Sequence, residues 1–309
     1  MCIGKIGVLN FVEGEIFKHS VLNNSMTFVN TLPYVSNPIE EFSDFEFVSW
    51  EKEIYPKFKG GIKKEEQDFF VNLIIKNKFK SIVDLGVGGG IELNGILKGL
   101  KERNYLLNSV EANEVDDEFI SQAEKLFKKD RQDVVVYKTN WLDLPRAEPA
   151  YTHVFDFGFL TGNSLTYIGG GTREYTKKAQ QIVVNKFAQL LRKDGYLFID
   201  HRNYDYIKSL MNLPKEKIFE NFTFGYSVYY HGFQKNILVF PAYISDTVVV
   251  LHYYDKTNKK WSKLDLYPIY QKDMIEILNK DFVIEKVYHD FKEGRKEKSL
   301  FVQYLVRKK

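Results

Sequence analysis

The segment Ser81-Ile82-Val83-Asp84-Leu85-Gly86-Val87-Gly88-Gly89-Gly90 constrains this chain more than any other. A short apolar run ends in an acid and is followed by glycines at alternating positions, the pattern of a buried strand that turns sharply into a helix. Glycine lets backbone approach a ligand closely, and in a doubly wound sheet such a turn lies outside the carboxyl end of the first strand, where ligands bind. A tight turn with no ligand has the same composition, so the segment acquires meaning only from what surrounds it.

What surrounds it alternates. The spacing of Phe69, Phe70, Leu73, Ile74 and Ile75 predicts a helix over 65–78 that leads into a strand over 81–85. An amphipathic stretch to about Lys101, a strand over 108–111, a polar helix over 116–129 and a strand over 134–138 give β-α-β-α-β. Further units follow as a strand over 152–157, a helix over 172–192, a turn at Lys193-Asp194-Gly195 and a strand over 196–200. Such alternation implies parallel strands joined by right-handed crossovers, hence an α/β, doubly wound sheet.

Two regions break the pattern. Residues 1–50 lack helical periodicity, are rich in Asn, Ser and Phe, and contain Pro33 and Pro38, as suits an N-terminal extension. From 209 to 268 the chain reads as closely spaced β-branched and aromatic strands, over 223–230, 236–245, 247–254 and 261–267, an antiparallel insertion. A helix over 271–280 and two strands over 282–289 and 299–306 close the chain. The predicted division is an extension (1–50), a Rossmann-like core (51–208 plus 269–309) and the insertion (209–268).

Several function classes fall away. With 44 Lys+Arg against 41 Asp+Glu and no basic stripe, nucleic acid is not the expected partner. The lone Cys2 excludes an internal disulfide, and a reducing, cytoplasmic setting is expected. No apolar run is long enough to span a bilayer, so no membrane partner is expected. The six histidines never fall at the i, i+4 spacing of a helical metal pair, and no GxSxG elbow appears. No metal is expected.

Candidate site residues follow the strand ends. Glu111 is predicted to close the second strand, where a carboxylate can grip two ribose hydroxyls. Asn140-Trp141 follows the third; an indole face and an amide there suit an adenine, and a buried tryptophan anchoring the loop is the alternative. Arg202, at the carboxyl edge of the fifth strand, offers a fork for an anion or an ion pair with Asp200 or Asp205.

The Asp-x-Gly-x-Gly-x-Gly order of the glycine segment resembles motif I of class I S-adenosylmethionine-dependent methyltransferases rather than the Gly-x-Gly-x-x-Gly of nicotinamide enzymes. Asn140-Trp141, then Gly162-Asn163-Ser164 after the fourth strand, then Asp200-His201-Arg202-Asn203-Tyr204-Asp205 after the fifth recur in that order in the glycine N-methyltransferase family. The resemblance runs from about Tyr55 to Val306 and leaves residues 1–50 unmatched. It implies a seven-stranded methyltransferase sheet closed by an antiparallel hairpin, with the insertion forming part of an acceptor pocket.

By the same resemblance, S-adenosylmethionine is held by Asp84, Gly86, Gly88, Gly90, Glu111, Asn140, Trp141 and Leu160, with Lys64 or Lys63 as the basic residue for its carboxylate. Arg202 and Asn163 hold the carboxylate of an amino-acid acceptor, and Tyr55, Tyr230 and Tyr267 wall its pocket. Two departures touch the family pattern: Val87-Gly88-Gly89-Gly90 replaces a Cys-Gly-Thr-Gly type segment, and Tyr167 stands where the family has a histidine. With Thr161 added before Gly162, the second reshapes the acceptor side. The implied reaction is methyl transfer to the amine of glycine or a related amino acid; a different small metabolite or sugar hydroxyl, or an adenosylmethionine-binding protein without catalysis, are the alternatives. A homo-oligomer is compatible with the unmatched N-terminal arm.

Overall fold

The structure, a computed structural model, describes residues 64–145, 154–210, 237–255, 258–294 and 298–309. Helix α1 (Lys64–Asn77) begins with Glu65 and Glu66 and ends near Lys76, charges that complement the helix dipole, and buries Phe70, Val71, Leu73 and Ile74. The chain continues through β1 (Ser81–Asp84), α2 (Ile91–Glu102), β2 (Ser109–Glu114), α3 (Asp117–Asp130), β3 (Val135–Lys138), β4 (Phe155–Leu160), α4 (Arg173–Leu190), β5 (Leu191–Arg202) and α5 (Tyr204–Leu210). Then come β6 (Ile237–Ile244), β7 (Val249–Asp255), β8 (Lys260–Leu266), α6 (Gln271–Asp281), β9 (Phe282–His289), β10 (Lys292–Glu293) and β11 (Phe301–Lys308). Side-chain caps fix two helix starts: Asp116 accepts from Glu118 and Phe119 N–H at α3, and Thr172 from Tyr175 N–H at α4.

The main sheet has the order β10-β9-β11-β5-β4-β1-β2-β3. Strands β1 to β5 pair in parallel, and β11 runs antiparallel to both β5 and β9. The chain winds outward from β1 to β3 and returns to β4 on the other side of β1, so the topological switch point lies at β1 and β4. Eight strands stand where seven were expected, because the two-residue β10 extends the closing hairpin beyond β9. Strands β6, β7 and β8 form a separate antiparallel sheet.

Three boundaries differ from the sequence-based expectation. Strand β2 runs on to Glu114, so Glu111 lies inside it, opposite Val83, rather than closing it. The Lys193-Asp194-Gly195 turn is an excursion within β5: Phe155 pairs with Leu191 but Phe157 with Tyr196, Asp194 takes φ 60°, and a Cβ at Gly195 would lie 2.9 Å from the Arg192 carbonyl oxygen. Strand β4 starts at Phe155, whereas part of the expected 152–157 strand, like the expected strand over 223–230, lies outside the described residues.

Both faces of the sheet are covered. Helices α1, α2 and α3 press Phe70, Val71, Leu93, Ile96, Ala123 and Phe127 onto one face with Ile82, Ala112, Phe157, Phe159 and Phe198. Helices α4 and α6 press Val183, Val184, Phe187, Met274 and Ile277 onto the other with Val83, Leu85, Leu197, Ile199 and Tyr304. This double cover explains why β4 reads FDFGFL, buried along its whole length, rather than alternating. No helix among the described residues is long and apolar enough to cross a membrane.

The α1–α2 contact is close at Gly99, where an added Cβ would lie 2.7 Å from both Gln67 Nε2 and Val71 Cγ2. Helix propensity alone favours Gly99→Ala by roughly 1 kcal/mol. The clash with buried Val71 outweighs it, and we expect a net destabilisation of about 1–3 kcal/mol in urea unfolding; a variant more stable than wild type would contradict this packing.

Candidate active site

The glycine turn between β1 and α2 is tied to both neighbouring strands. Leu85 N–H donates to the Phe159 carbonyl at 2.9 Å on the β4 side, and Val87 N–H to the Asn113 carbonyl at 3.0 Å on the β2 side. Gly86 N–H donates to Asp84 Oδ1 and Gly88 N–H to Glu114 Oε2, each at 3.0 Å. Gly90 has φ 82°, and a Cβ there would sit 3.0 Å from Phe127 Cζ and 3.1 Å from Ala123. Glycine is needed at that position for both backbone conformation and space.

Acids gather around this turn. Asp84 is buried at the end of β1, and burial first, then the neighbouring Glu92 and Glu114 carboxylates, push it up to about 8. Glu114, fully buried at the end of β2, accepts from Gly88, Val115 and Asp116 N–H. It stands where the sequence placed Glu111, which is buried three residues upstream. Glu92, in the first turn of α2, accepts from the Thr161 hydroxyl at 2.8 Å, and burial raises it as well. Glu92 and Glu114 escaped the expectation from sequence, and Asp200 entered it only as a possible ion-pair partner of Arg202. A carboxylate that binds its neighbours' backbone leaves no spacing signature, although Asp200 lies inside the segment quoted above.

Across β4 a second cluster forms at the ends of β4 and β5. Asp200 Oδ1 accepts from Asn163 N–H at 2.7 Å, and its Oδ2 from Gly162 N–H at 3.3 Å. In return, Asn163 Oδ1 accepts from Arg202 N–H at 2.9 Å. The Asn163 Nδ2 group donates to Thr166 Oγ1 at 2.7 Å and to Tyr204 Oη at 3.1 Å. Both amide hydrogens are therefore engaged and the side chain is fully buried, so Asn163 is placed as a clamp on its surroundings rather than as a carboxylate ligand. Arg202 is 4% exposed, its guanidinium carbon 5.5 Å from the Phe301 ring centroid.

The remaining candidates fall into three groups. Tyr267 is brought to this cluster, its N–H donating to the Thr166 carbonyl at 2.7 Å and its ring lying against Gly169, where a Cβ would come within 2.5 Å of Tyr267 Cγ. Tyr55, Tyr230 and Lys63 lie outside the described residues. Lys64 is exposed and pairs with Asp68 at 3.3 Å, a surface pair one helical turn apart rather than a group aimed at the glycine turn.

Trp141 takes the anchoring alternative: it is 3% exposed, edge-on to Phe187, and its indole N–H donates to the Leu85 carbonyl at 2.5 Å. It thus fixes the start of the glycine turn from inside the core. Asn140 caps the short 3-10 turn that follows, its Oδ1 accepting from Leu142 N–H at 3.0 Å, and Leu160 is core with no side-chain exposure.

The buried ionisable groups set a pH dependence whose signs differ. Asp84 at about 8 and Asp200 at about 7, the latter raised chiefly by burial, retain protons in the folded chain that they lose near 3.8 when unfolded. Their contribution is complete below about 4 and is lost as pH rises through 7 and 8. His201 and His252, pushed down to about 4 by burial from 6.5, contribute above 6.5 and lose that contribution as pH falls through 4. From about pH 7.5 to 8.5 the histidines no longer titrate in either state. The melting temperature of the ligand-free protein should therefore fall across that window, and Asp84→Asn should flatten the fall; a wild-type profile level across it would refute the burial of these acids.

No family profile matches the chain. It is similar to glycine N-methyltransferase of Rattus norvegicus, at 27% identity over 159 residues covering 50% of each chain. It is also similar to glycine/sarcosine N-methyltransferase of Aphanothece halophytica, at 22% over 230 residues covering 74% of this chain and 76% of that one. The chain thus spans about half the length of the rat protein it matches. Among solved structures, a S-adenosylmethionine-dependent methyltransferase from Clostridium acetobutylicum superposes with a TM-score of 0.55 at 15% identity, covering 84% of this chain and 95% of that one. The CcbJ methyltransferase from Streptomyces caelestis does so at 0.51 and 13%, covering 80% and 97%. The fold is the Rossmann-like fold of these methyltransferases.

Proposed function

We propose that this chain is an S-adenosylmethionine-dependent methyltransferase whose acceptor is the amine of a small carboxylate-bearing molecule, glycine or a related amino acid. The observation that carries the proposal is the pairing of two devices at one switch point: an acid-led glycine turn after β1, and an arginine held by a reciprocal clamp after β5. The likeness to glycine N-methyltransferases supports the acceptor class.

The residues present fit S-adenosylmethionine. Asp84 and Glu114 place carboxylates at the ends of β1 and β2, on either side of the glycine turn, suited to the ammonium and ribose of such a molecule. For the ribose the strand offers two carboxylates, Glu111 as the sequence assigned it and Glu114 at the strand end. Asn140 offers its amide hydrogens to the adenine side, whereas Trp141 acts through the Leu85 backbone it holds and Leu160 through the core. S-adenosylmethionine supplies a sulfonium methyl.

The chain's own contribution is positioning. Arg202 holds the acceptor carboxylate through its guanidinium fork, and Asn163 sets the Arg202 backbone. With the carboxylate held by Arg202, the neutral amine of the acceptor would be aimed at the sulfonium methyl that a bound S-adenosylmethionine would supply, and the chain's part is to keep that alignment. Alignment of this kind supplies on the order of 7–11 kcal/mol in favourable cases. Tyr267, docked on the Thr166 carbonyl, walls the acceptor side.

Incubation with labelled S-adenosylmethionine and a panel of glycine, sarcosine, dimethylglycine, other amino acids and simple sugars tests this reading. We expect transfer to an amino acid, with Arg202→Ala lowering kcat/KM by about 100-fold or more and Arg202→Lys recovering only part of it. Transfer confined to acceptors without a carboxylate would overturn the acceptor class; binding without transfer would point to a non-catalytic adenosyl-binding protein.

A further inference from the structure

Glu92 combines a favoured position with an unsatisfied oxygen: the first turn of α2 suits an acid, yet one carboxylate oxygen is buried without a donor among the described residues. It lies in the first turn of α2 and reaches past the end of β4 to accept from the Thr161 hydroxyl at 2.8 Å. Its other oxygen, Oε1, is buried with no hydrogen-bond partner among the described residues. A carboxylate here is costly, because a buried acceptor without a donor forfeits its hydration and a second acid, Asp84, is close by. A glutamine would make the same bond to Thr161 at lower cost. Retaining the acid implies that its charge, and not only its reach, is used.

The bond also joins two segments that share little else. On one side is the helix leaving the glycine turn; on the other is Thr161, which leads directly into Gly162 and Asn163 and so to the Arg202 clamp. We propose that Glu92 is a positioning residue that locks the glycine turn to the acceptor-side loop through Thr161, so that occupancy of the first is felt in the geometry of the second. This rests on the methyltransferase reading above. The charged groups around it are Asp84 from β1, Glu114 from β2 next to Asp84, and Asp200 from β5, itself offset by Arg202. Burial is the main cause of the raised Asp84 and Asp200, and the Glu92 carboxylate pushes both further in the same direction.

The test compares wild type with Thr161→Val, Glu92→Ala and Glu92→Gln. Thr161→Val is nearly isosteric and removes only the donor, and melting temperatures verify that each variant folds. In hydrogen exchange, S-adenosylhomocysteine should protect residues 85–92 in all four proteins. It should protect residues 161–167 in wild type and Glu92→Gln but not in Thr161→Val or Glu92→Ala. With glycine as acceptor, the two lock-breaking variants should lose about tenfold in kcat/KM while S-adenosylhomocysteine affinity changes by less than about threefold.

The pH profile of binding reads the charge of Glu92 separately from its hydrogen bond to Thr161. Cationic S-adenosylmethionine should bind better as Asp84 ionises, so its affinity should rise in wild type as pH approaches about 8, where the ligand's own amine begins to lose its proton, and Glu92→Gln should move that rise to lower pH. Wild-type protection of 161–167 in the lock-breaking variants, or Glu92→Gln behaving as Glu92→Ala does, would overturn the proposal. If wild type binds neither adenosyl compound, the methyltransferase reading fails instead, and the lock falls with it.

Discussion

Much of the site depends on one reciprocal arrangement: the Asp200 carboxylate receives the Gly162 and Asn163 amides, while the Asn163 side chain receives the Arg202 amide. Each residue supplies the other's strand end with a partner that its own ladder cannot. Hydrogen bonds to a charged group contribute roughly 1.5–3 kcal/mol each, against several kcal/mol for burying the ion. Asp200 sits near 7 rather than below 3.8, so at this site desolvation outweighs the two amides and the nearby Arg202. The clamp is therefore not an optimum of stability. It fixes Asn163 in the left-handed region, at φ 63°, and holds Arg202 at the edge of the sheet with 4% exposure.

A comparable imbalance marks the other half of the site. Asp84, Glu92 and Glu114 come from three different elements, and the last two both press on Asp84, yet the turn they border is secured by backbone bonds to β2 and β4. Such repulsion costs the ligand-free chain stability and is relieved by protons or by a bound cation. On the proposed function the relief comes from a molecule with both an ammonium and a sulfonium, which gives the like-charge cluster a purpose that packing alone does not supply.

The architecture was legible in sequence because its signals are repetitive. Apolar periodicity located α1 to α4 within a residue or two, and the βαβ alternation fixed the winding, since crossovers have one hand. What escaped was local. Strand β2 continues through Ala112-Asn113-Glu114 although asparagine and glutamate disfavour strands, because Val135 to Lys138 pair alongside and the apolar Ala112 packs into the helix-covered face. That extension moved the strand-end acid from Glu111 to Glu114. Asn163 and Arg202 were visible as a pair in the motif, but whether the amide meets a ligand or the Arg202 backbone depends on hydrogen-bond partners that no spacing encodes. Trp141 was undecidable for the same reason: an indole that suits an adenine also suits Phe187 and the Leu85 carbonyl.

The division of the site at β4 bears on how such a scaffold acquires an acceptor. The glycine-turn half is constrained by close contacts, with Gly90 against Phe127 and Trp141 beneath Leu85, so little there can change without unfolding the turn. The other half is built on a short 3-10 segment, Ser164–Tyr167, and on Tyr267 from the chain after β8. Its links to the first half are the β4 ladder, including Leu85 N–H to the Phe159 carbonyl, and the Glu92–Thr161 bond. Thr161 and Tyr167, the two points at which the sequence departs from the glycine N-methyltransferase pattern beyond the glycine turn, both lie on this second half. A change of acceptor then needs no change in the turn, provided the lock through Thr161 still brings the two halves into register.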